Sequence, residues 1–409
     1  MLLGDKGDND MRTHGLLKCA VAVLIFSMGI SIAEEKSPLK NTRTVWFKNA
    51  KWGVFTHYLS DIAVTEQPVT VENWNKTVAS FDVNVLADEL ASMGAGYYVI
   101  TLGQNSGFYC SPNATYDQYA GITPSKCSTR DLIADLYEPL HAKGIRLMVY
   151  LPAGAPDRDD VAMKALEWQT GQNPLWTYEN GKPKGQDPRL EAFQRKWEDI
   201  IREWSLRWGP KVCGWWFDGC YFPDAMYRFP DAPNFESFAA AARAGNPDSI
   251  VAFNPGVRDP IISLAPAEDY TAGEINDPTL VKCKSRWVDG AQFHMLSYLG
   301  PMWAQGPPRF TDAQVIAMTQ GIAGKGGVVT WDVPITGNGM IAQPFLDQLQ
   351  ALGKSFRMQT PKGESRGHGR AGSTVPGGTA EGAQAGQAAG GNRGGRVTAP
   401  LRQRISPHK

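Results

Sequence analysis

No excess of charge of either sign marks this chain: 41 lysines and arginines face 41 aspartates and glutamates over 409 residues. That balance argues against a nucleic-acid footprint or a polybasic membrane surface. Cys-x-x-Cys pairs and His/Cys clusters are missing, so no zinc site is expected. His, Asp and Glu do not gather at the spacing of any other ligand set, and no metal or other cofactor is called for. No Gly-x-Gly-x-x-Gly follows a first strand, which removes the usual dinucleotide-binding turn. Beyond the N-terminal segment, no apolar run is long enough to cross a bilayer.

That segment reads as an export signal. Met11, taken as the likely start, is followed by Arg12 and Lys18, an apolar run from Cys19 to Ile32, and a cleavage site after Ala33. Residues 1–33 are therefore expected to be removed, leaving a secreted or periplasmic protein without stable membrane insertion. An uncleaved anchor is the alternative, disfavoured by the shortness of the run. Of the five cysteines that remain, at least one must be unpaired; Cys110 and Cys127 share one loop-like segment and are candidates for a disulfide. Connectivity and oligomeric state are not readable here.

From residue 358 to 409, Gly, Ala, Arg and Pro dominate and bulky apolar residues almost vanish. Such a tail cannot bury enough surface to offset its ordering entropy, so disorder is expected. Residues 42–357 instead alternate strand and helix patterns. Strand-like runs occur at Trp52–Leu59, Gly96–Leu102, Ile145–Leu151, Val212–Phe217, Ser249–Asn254, Asp269–Glu274, Ala291–Leu299 and Val328–Val333. Helical periodicity lies between several of them, at Val83–Met93, Asp131–Ala142 after an N-cap-like Thr129, Leu190–Trp208, and Asp312–Ala323 after Thr311. Eight such strands predict an α/β fold, a single (β/α)8 TIM barrel. The weak points are the helices after strands five and six, whose connections are short and Pro-rich. An open doubly wound sheet is the other architecture weighed.

Barrel enzymes take their chemistry from the C-terminal ends of the strands. Here those ends carry His57, Gln104 and Asn105, Asp218, Asn254, Glu274 and Asp332, with His294 on strand seven. Asp218 closes an apolar run, Cys-Gly-Trp-Trp-Phe-Asp-Gly. Glycoside cleavage needs two carboxyl groups, one to attack the anomeric carbon or activate water and one to protonate the leaving oxygen. Asp218 is the first choice for one and Glu274 for the other; Asp332 and Asp61 are further rim acids. Glu268 and Asp269 begin strand six and should face the opposite end. Thirteen tryptophans also lean towards carbohydrate, whose pyranose faces stack on indoles. Trp216, Trp303 and Trp331 are candidates for sugar contact, though each is equally at home in a core.

Together these segments resemble family 29 of the glycoside hydrolases, the α-L-fucosidases. Trp46-Phe47-Lys48-Asn49-Ala50-Lys51-Trp52-Gly53-Val54-Phe55-Thr56-His57 is similar to that family's opening strand, and Trp216-Phe217-Asp218-Gly219 to its nucleophile segment. Asp269 through Glu274 resembles the stretch that supplies the acid/base in many members, and Lys325 through Gly339 the final strand and turn. The resemblance implies a retaining double displacement with Asp218 as nucleophile, Glu274 as acid/base and His57 on the sugar. One departure stands out: the family's paired histidines after strand two are replaced by Gln104-Asn105, which hydrogen-bond but do not titrate in the working range. A glycosidase for another sugar, an inverting enzyme and a carbohydrate-binding pseudoenzyme are the competing readings.

Overall fold

The computed structural model describes residues 42–168, 178–179, 182–183, 189–221 and 226–359. Residues 1–33, expected as an export signal, and residues 360–409 lie outside the described residues. The last helix runs to Gln359, slightly past the expected boundary at 357.

Seven parallel strands form one curved sheet. In chain order they are β1 (Trp52–Thr56), β2 (Tyr97–Thr101), β3 (Arg146–Pro152), β4 (Val212–Asp218), β5 (Ile250–Phe253), β6 (His294–Tyr298) and β7 (Val328–Asp332). Their order across the sheet is β6-β7-β1-β2-β3-β4-β5. The gap between β5 and β6 is filled by the segment 269–275, expected as a sixth strand but too irregular to be one. It is still bonded on both sides. Asp269 N donates to Val251 O at 2.8 Å on one flank, and on the other Leu296 N donates to Gly273 O and Ile275 N to Leu296 O. The fold is thus a (β/α)8-type barrel closed through a non-ideal eighth member.

Two causes of the irregularity are visible. Gly273 takes φ +66°, and a Cβ there would lie 2.0 Å from His294 O, so only glycine permits the approach. Beside it, the Asp269 carboxylate accepts the Val251 N–H in place of a backbone carbonyl. Arg43 and Arg243 pair with the same carboxylate at 2.7 and 2.6 Å. Asp269 and Glu268 are buried at the N-terminal side of the segment, as their sequence position suggested.

Alternation along the strands builds two apolar layers. Phe55, Val99, Met148, Trp216, Ala252, Ala272, Leu296 and Val328 point inwards and fill the barrel with Phe47 and Tyr97. Val54, Ile100, Val149, Trp215, Phe217, Val251 and Trp331 point outwards into a larger core under the helices. The expected opening strand is half helix: Val45–Ala50 forms a short α-helix, and Phe47 packs on Tyr97 and Tyr270 at 4.9 Å.

The helices follow their local signals. Val83–Met93 is capped by the Asp82 side chain and ends at Gly94 in the left-handed region. Thr311 and Gln314 form a capping box for Asp312–Ala323. The cap of Leu132–Ala142 is Asp131 and not Thr129, whose N–H donates to Asn75 instead. Glu191–Trp208 buries Trp197, Trp204 and Trp208. Between β5 and β6 the described residues hold no α-helix, only a 3₁₀ turn at Pro278–Leu280 and a two-stranded ribbon. All five described cysteines are buried and free. Tyr109 pairs with Cys127 across a parallel bridge, so Cys110 leaves on the opposite face and does not meet Cys127.

Candidate active site

Each rim side chain lies two residues beyond one that fills the barrel. Phe55 leads to His57, Met148 to Tyr150, Trp216 to Asp218, Ala252 to Asn254, Ala272 to Glu274 and Thr330 to Asp332. Because successive side chains alternate, this parity aims all six at the mouth.

Asp218 and Glu274 are joined by one amide. Asn254 Nδ2 donates to Asp218 Oδ1 at 2.8 Å and to Glu274 Oε2 at 2.6 Å. Two such contacts from a single nitrogen hold the two oxygens within about 5.4 Å of each other. The Asn254 side-chain oxygen, Oδ1, accepts the Gly256 N–H, which fixes the amide's orientation. Asp218 Oδ1 also accepts its neighbour's N–H, from Gly219, at 2.8 Å. Its Oδ2 accepts from the Tyr150 hydroxyl at 2.6 Å, and that hydroxyl in turn accepts from Gln104 Nε2 at 2.6 Å.

The two carboxyls differ in surroundings. Burial pushes the Glu274 carboxyl up to about 7, and the Asp218 charge adds to the rise; the Asn254 hydrogen bond and His57 pull it back. Near neutrality it therefore holds a proton for part of the time. Asp218 is instead met by three donors, Gly219 N, Asn254 Nδ2 and the Tyr150 hydroxyl. Tyr221, just beyond β4, has its phenol raised chiefly by the Asp218 charge, then by burial and Glu274. Burial first, and then Asp218, raise the Tyr150 phenol.

His57 and Trp303 form the opposite wall. His57 Nδ1 lies 2.8 Å from Asp332 Oδ1, and its ring sits 5.6 Å from Trp303. Trp303 packs edge-on against Tyr298. Trp216 lies beneath, stacked on Tyr150 at 5.4 Å with its indole N–H donating to Ala272 O.

Two expected contacts are placed elsewhere. His294 stands at the start of β6, two residues before Leu296 and so deep inside the barrel. It is 2 % exposed, with its nitrogens on Thr271 O and Thr330 Oγ1. Burial depresses it to about 4, so it is a neutral core residue and not a sugar ligand. Trp331 has the wrong parity: it faces outwards, fully buried, and donates to Thr319 Oγ1. The Asn105 backbone carbonyl accepts from Arg158 N, and of the pair it is Gln104 that bonds into the Asp218 network, through Tyr150. Asp61 pairs with Arg158 at the surface. Asn254 was named only as a polar strand end, and Tyr150 and Tyr221 were not singled out at all, although strand parity points to Tyr150. Among the described residues, no group of three or more His, Cys, Asp or Glu is placed to hold a metal ion, and no helix is long and apolar enough to cross a membrane.

The alpha-L-fucosidase family profile matches residues 71–360. This chain belongs to that family. Within it, the protein is similar in fold to the alpha-L-fucosidase AlfC from Lactobacillus casei in complex with alpha-L-fucose product. That likeness has a TM-score of 0.54 and 16 % identity, over 78 % of this chain and 99 % of that one. A bacterial fucosidase bound to a pyrrolidine inhibitor gives 0.51 and 18 %, over 79 % and 74 %. An endo-fucoidan hydrolase of glycoside hydrolase family 107, MfFcnA4, gives 0.60 and 18 %, over 79 % of this chain and 55 % of that chain. The fucosidase-family chain thus spans little more than half the length of MfFcnA4, and 65 % of its relative MfFcnA9. Among curated protein sequences none matches. At these identities the structural likeness concerns the fold; the argument about chemistry rests on the site.

Proposed function

We propose that this protein is a secreted, retaining glycoside hydrolase that releases a terminal α-L-fucosyl group by double displacement. The observation that carries the reading is the Asn254 bridge. With the two bridged oxygens no more than about 5.4 Å apart, the pair is compatible with the ~5–5.5 Å of retaining enzymes and falls short of the ~6.5–9.5 Å of inverting ones.

In the first step Asp218 attacks the anomeric carbon while Glu274 gives its proton to the departing glycosidic oxygen. Asp218 is held for this attack by the Gly219 and Asn254 donors on Oδ1 and the Tyr150 hydroxyl on Oδ2. The product is a glycosyl ester on Asp218. Esterification removes the negative charge that helped to raise Glu274, so its proton affinity falls when it must act as a base. In the second step Glu274 takes a proton from water, the water oxygen attacks the anomeric carbon, and Asp218 leaves as carboxylate. Two inversions give net retention. Trp216 and Tyr150 form the floor against which the sugar ring lies, with His57 and Trp303 at its side.

A screen of aryl α-L-fucoside and aryl α- and β-galactosides tests this, with the first-formed product anomer followed by proton NMR. The expected result is cleavage of the α-L-fucoside with α-L-fucose appearing first, and no cleavage by Asp218→Asn. First appearance of the β-anomer overturns retention. Gln104-Asn105, standing where the family carries histidines, favours a second reading in which the same chemistry serves another sugar; cleavage of a galactoside alone would establish it. Export is tested separately, by looking for a mature N-terminus at Glu34 in secreted material.

A further inference from the structure

Asp332 occupies the last inward position of β7 and is completely buried, yet no lysine or arginine pairs with it among the described residues. Its two oxygens face two different donors. Oδ1 lies 2.8 Å from His57 Nδ1, and Oδ2 accepts the Ala304 N–H at 2.7 Å. Burial raises the Asp332 carboxyl above its ordinary value, while His57 and the Ala304 N–H pull it back; as a carboxylate it only accepts, and the first contact then puts the hydrogen on Nδ1. A neutral imidazole has one N–H, which leaves Nε2 bare. The ring cannot easily turn over, being wedged between Phe55 at 4.7 Å, Trp303 at 5.6 Å and Tyr150 at 6.1 Å. Its side chain keeps 12 % exposure, and its charge, when present, is felt by Glu274, so the open edge faces the mouth.

The second oxygen has a different task. Ala304 adopts φ +53°, a left-handed conformation that alanine rarely takes. Such a residue persists only where its surroundings hold it, and Asp332 accepts its N–H directly. The turn that displays Trp303 is thereby tied to the same carboxylate as His57.

We propose that Asp332 is a positioning residue that holds the His57 ring hydrogen on Nδ1, so that Nε2 accepts a hydrogen bond from a hydroxyl of the bound sugar, and that holds the Trp303–Ala304 turn against the same ring. Only the identity of the hydroxyl donor rests on the glycosidase reading; the tautomer does not.

The test is nitrogen-15 NMR of the full chain labelled at histidine, at about pH 8, where an ordinary histidine with a reference value near 6.5 is neutral. In the wild type the His57 signals, assigned by their loss in His57→Gln, should show a protonated Nδ1 and a bare Nε2. In Asp332→Asn the single acceptor oxygen stays with the Ala304 N–H and the amide NH2 turns to Nδ1, forcing the proton to Nε2. The same variant should lose about ten- to hundredfold in kcat/KM on the substrate found in the screen. Asp332→Glu should restore the wild-type tautomer. A wild-type His57 with its proton on Nε2, or an Asp332→Asn spectrum with the wild-type tautomer, overturns the inference. The wild-type spectrum decides even if Asp332→Asn fails to fold. Since the spectrum needs no turnover, a correct tautomer in a protein that cleaves nothing would sink the hydrolase reading alone.

Discussion

Replacing Asn254 by alanine removes the nitrogen that donates to both carboxyls at once. Glu274 then loses one of the two influences that hold its pKa down, while burial and the Asp218 charge continue to push it up. A hydrogen bond to a charged acceptor contributes about 1.5–3 kcal/mol, or roughly one to two pKa units. In its proposed role as general acid Glu274 must be protonated in the free enzyme, so its deprotonation would set the alkaline limb of kcat/KM. In the wild type that limb should fall near pH 7. In Asn254→Ala it should move to higher pH by about a unit or more. Activity on the plateau should drop about ten- to hundredfold, because Asp218 Oδ1 is no longer tethered. The assay is initial rates on the aryl glycoside from about pH 5 to 9, a span that brackets both limbs. An alkaline limb that stays in place, or shifts to lower pH, would refute the assignment of Glu274 or of the bridge.

Three further outcomes follow from the same contacts. The Glu274 carboxyl binds its proton more tightly folded than unfolded, so stability should decline as pH rises from about 4.5 to about 7. Glu274→Gln removes that loss, and thermal melts should show it gaining up to roughly 3 kcal/mol on the wild type at pH 8 relative to pH 4, while hydrolysis collapses. Trp331→Phe gives up the bond to Thr319 and some packing, costing about 1–3 kcal/mol in denaturant titrations, with kcat/KM unchanged. A sugar contact at Trp331 would show instead as a raised KM. Gly273→Ala forces a Cβ to 2.0 Å from His294 O. Both its melting temperature and its kcat should fall sharply, because Glu274 follows directly; a variant with full activity would contradict the placement of the segment.

Much of this site can be read by counting in twos along the strands. Once Trp216 is taken as a barrel filler, Asp218 must point to the mouth, and the same step carries Phe55 to His57 and Ala272 to Glu274. The two misplaced candidates fail by this rule as well. Trp331 is one residue out of phase with Thr330 and Asp332, and His294 comes before Leu296 where a rim residue must come after it. Composition alone cannot separate an indole facing helices from one facing a sugar, since both are buried. Helix termini were legible where a side chain caps its own turn, as at Thr311, and less so at Thr129, whose backbone is drawn away by Asn75. The irregular 269–275 segment was not legible as such. Its departure from a strand depends on Asp269 meeting arginines 26 and 226 residues away, which no local pattern encodes. Nor does sequence reveal that one amide bridges the two acids, because Asn254 is 36 residues from one and 20 from the other.

The central claim is that Asp218 becomes covalently attached to the sugar. Incubation with a 2-deoxy-2-fluoro-α-L-fucosyl fluoride slows both steps but keeps a good leaving group, so a glycosyl ester should accumulate. Intact mass spectrometry should then show one added fluorofucosyl group, and peptide mapping should place it on Asp218. A label on any other residue, or turnover of the true substrate to the inverted anomer with no adduct, would contradict the account.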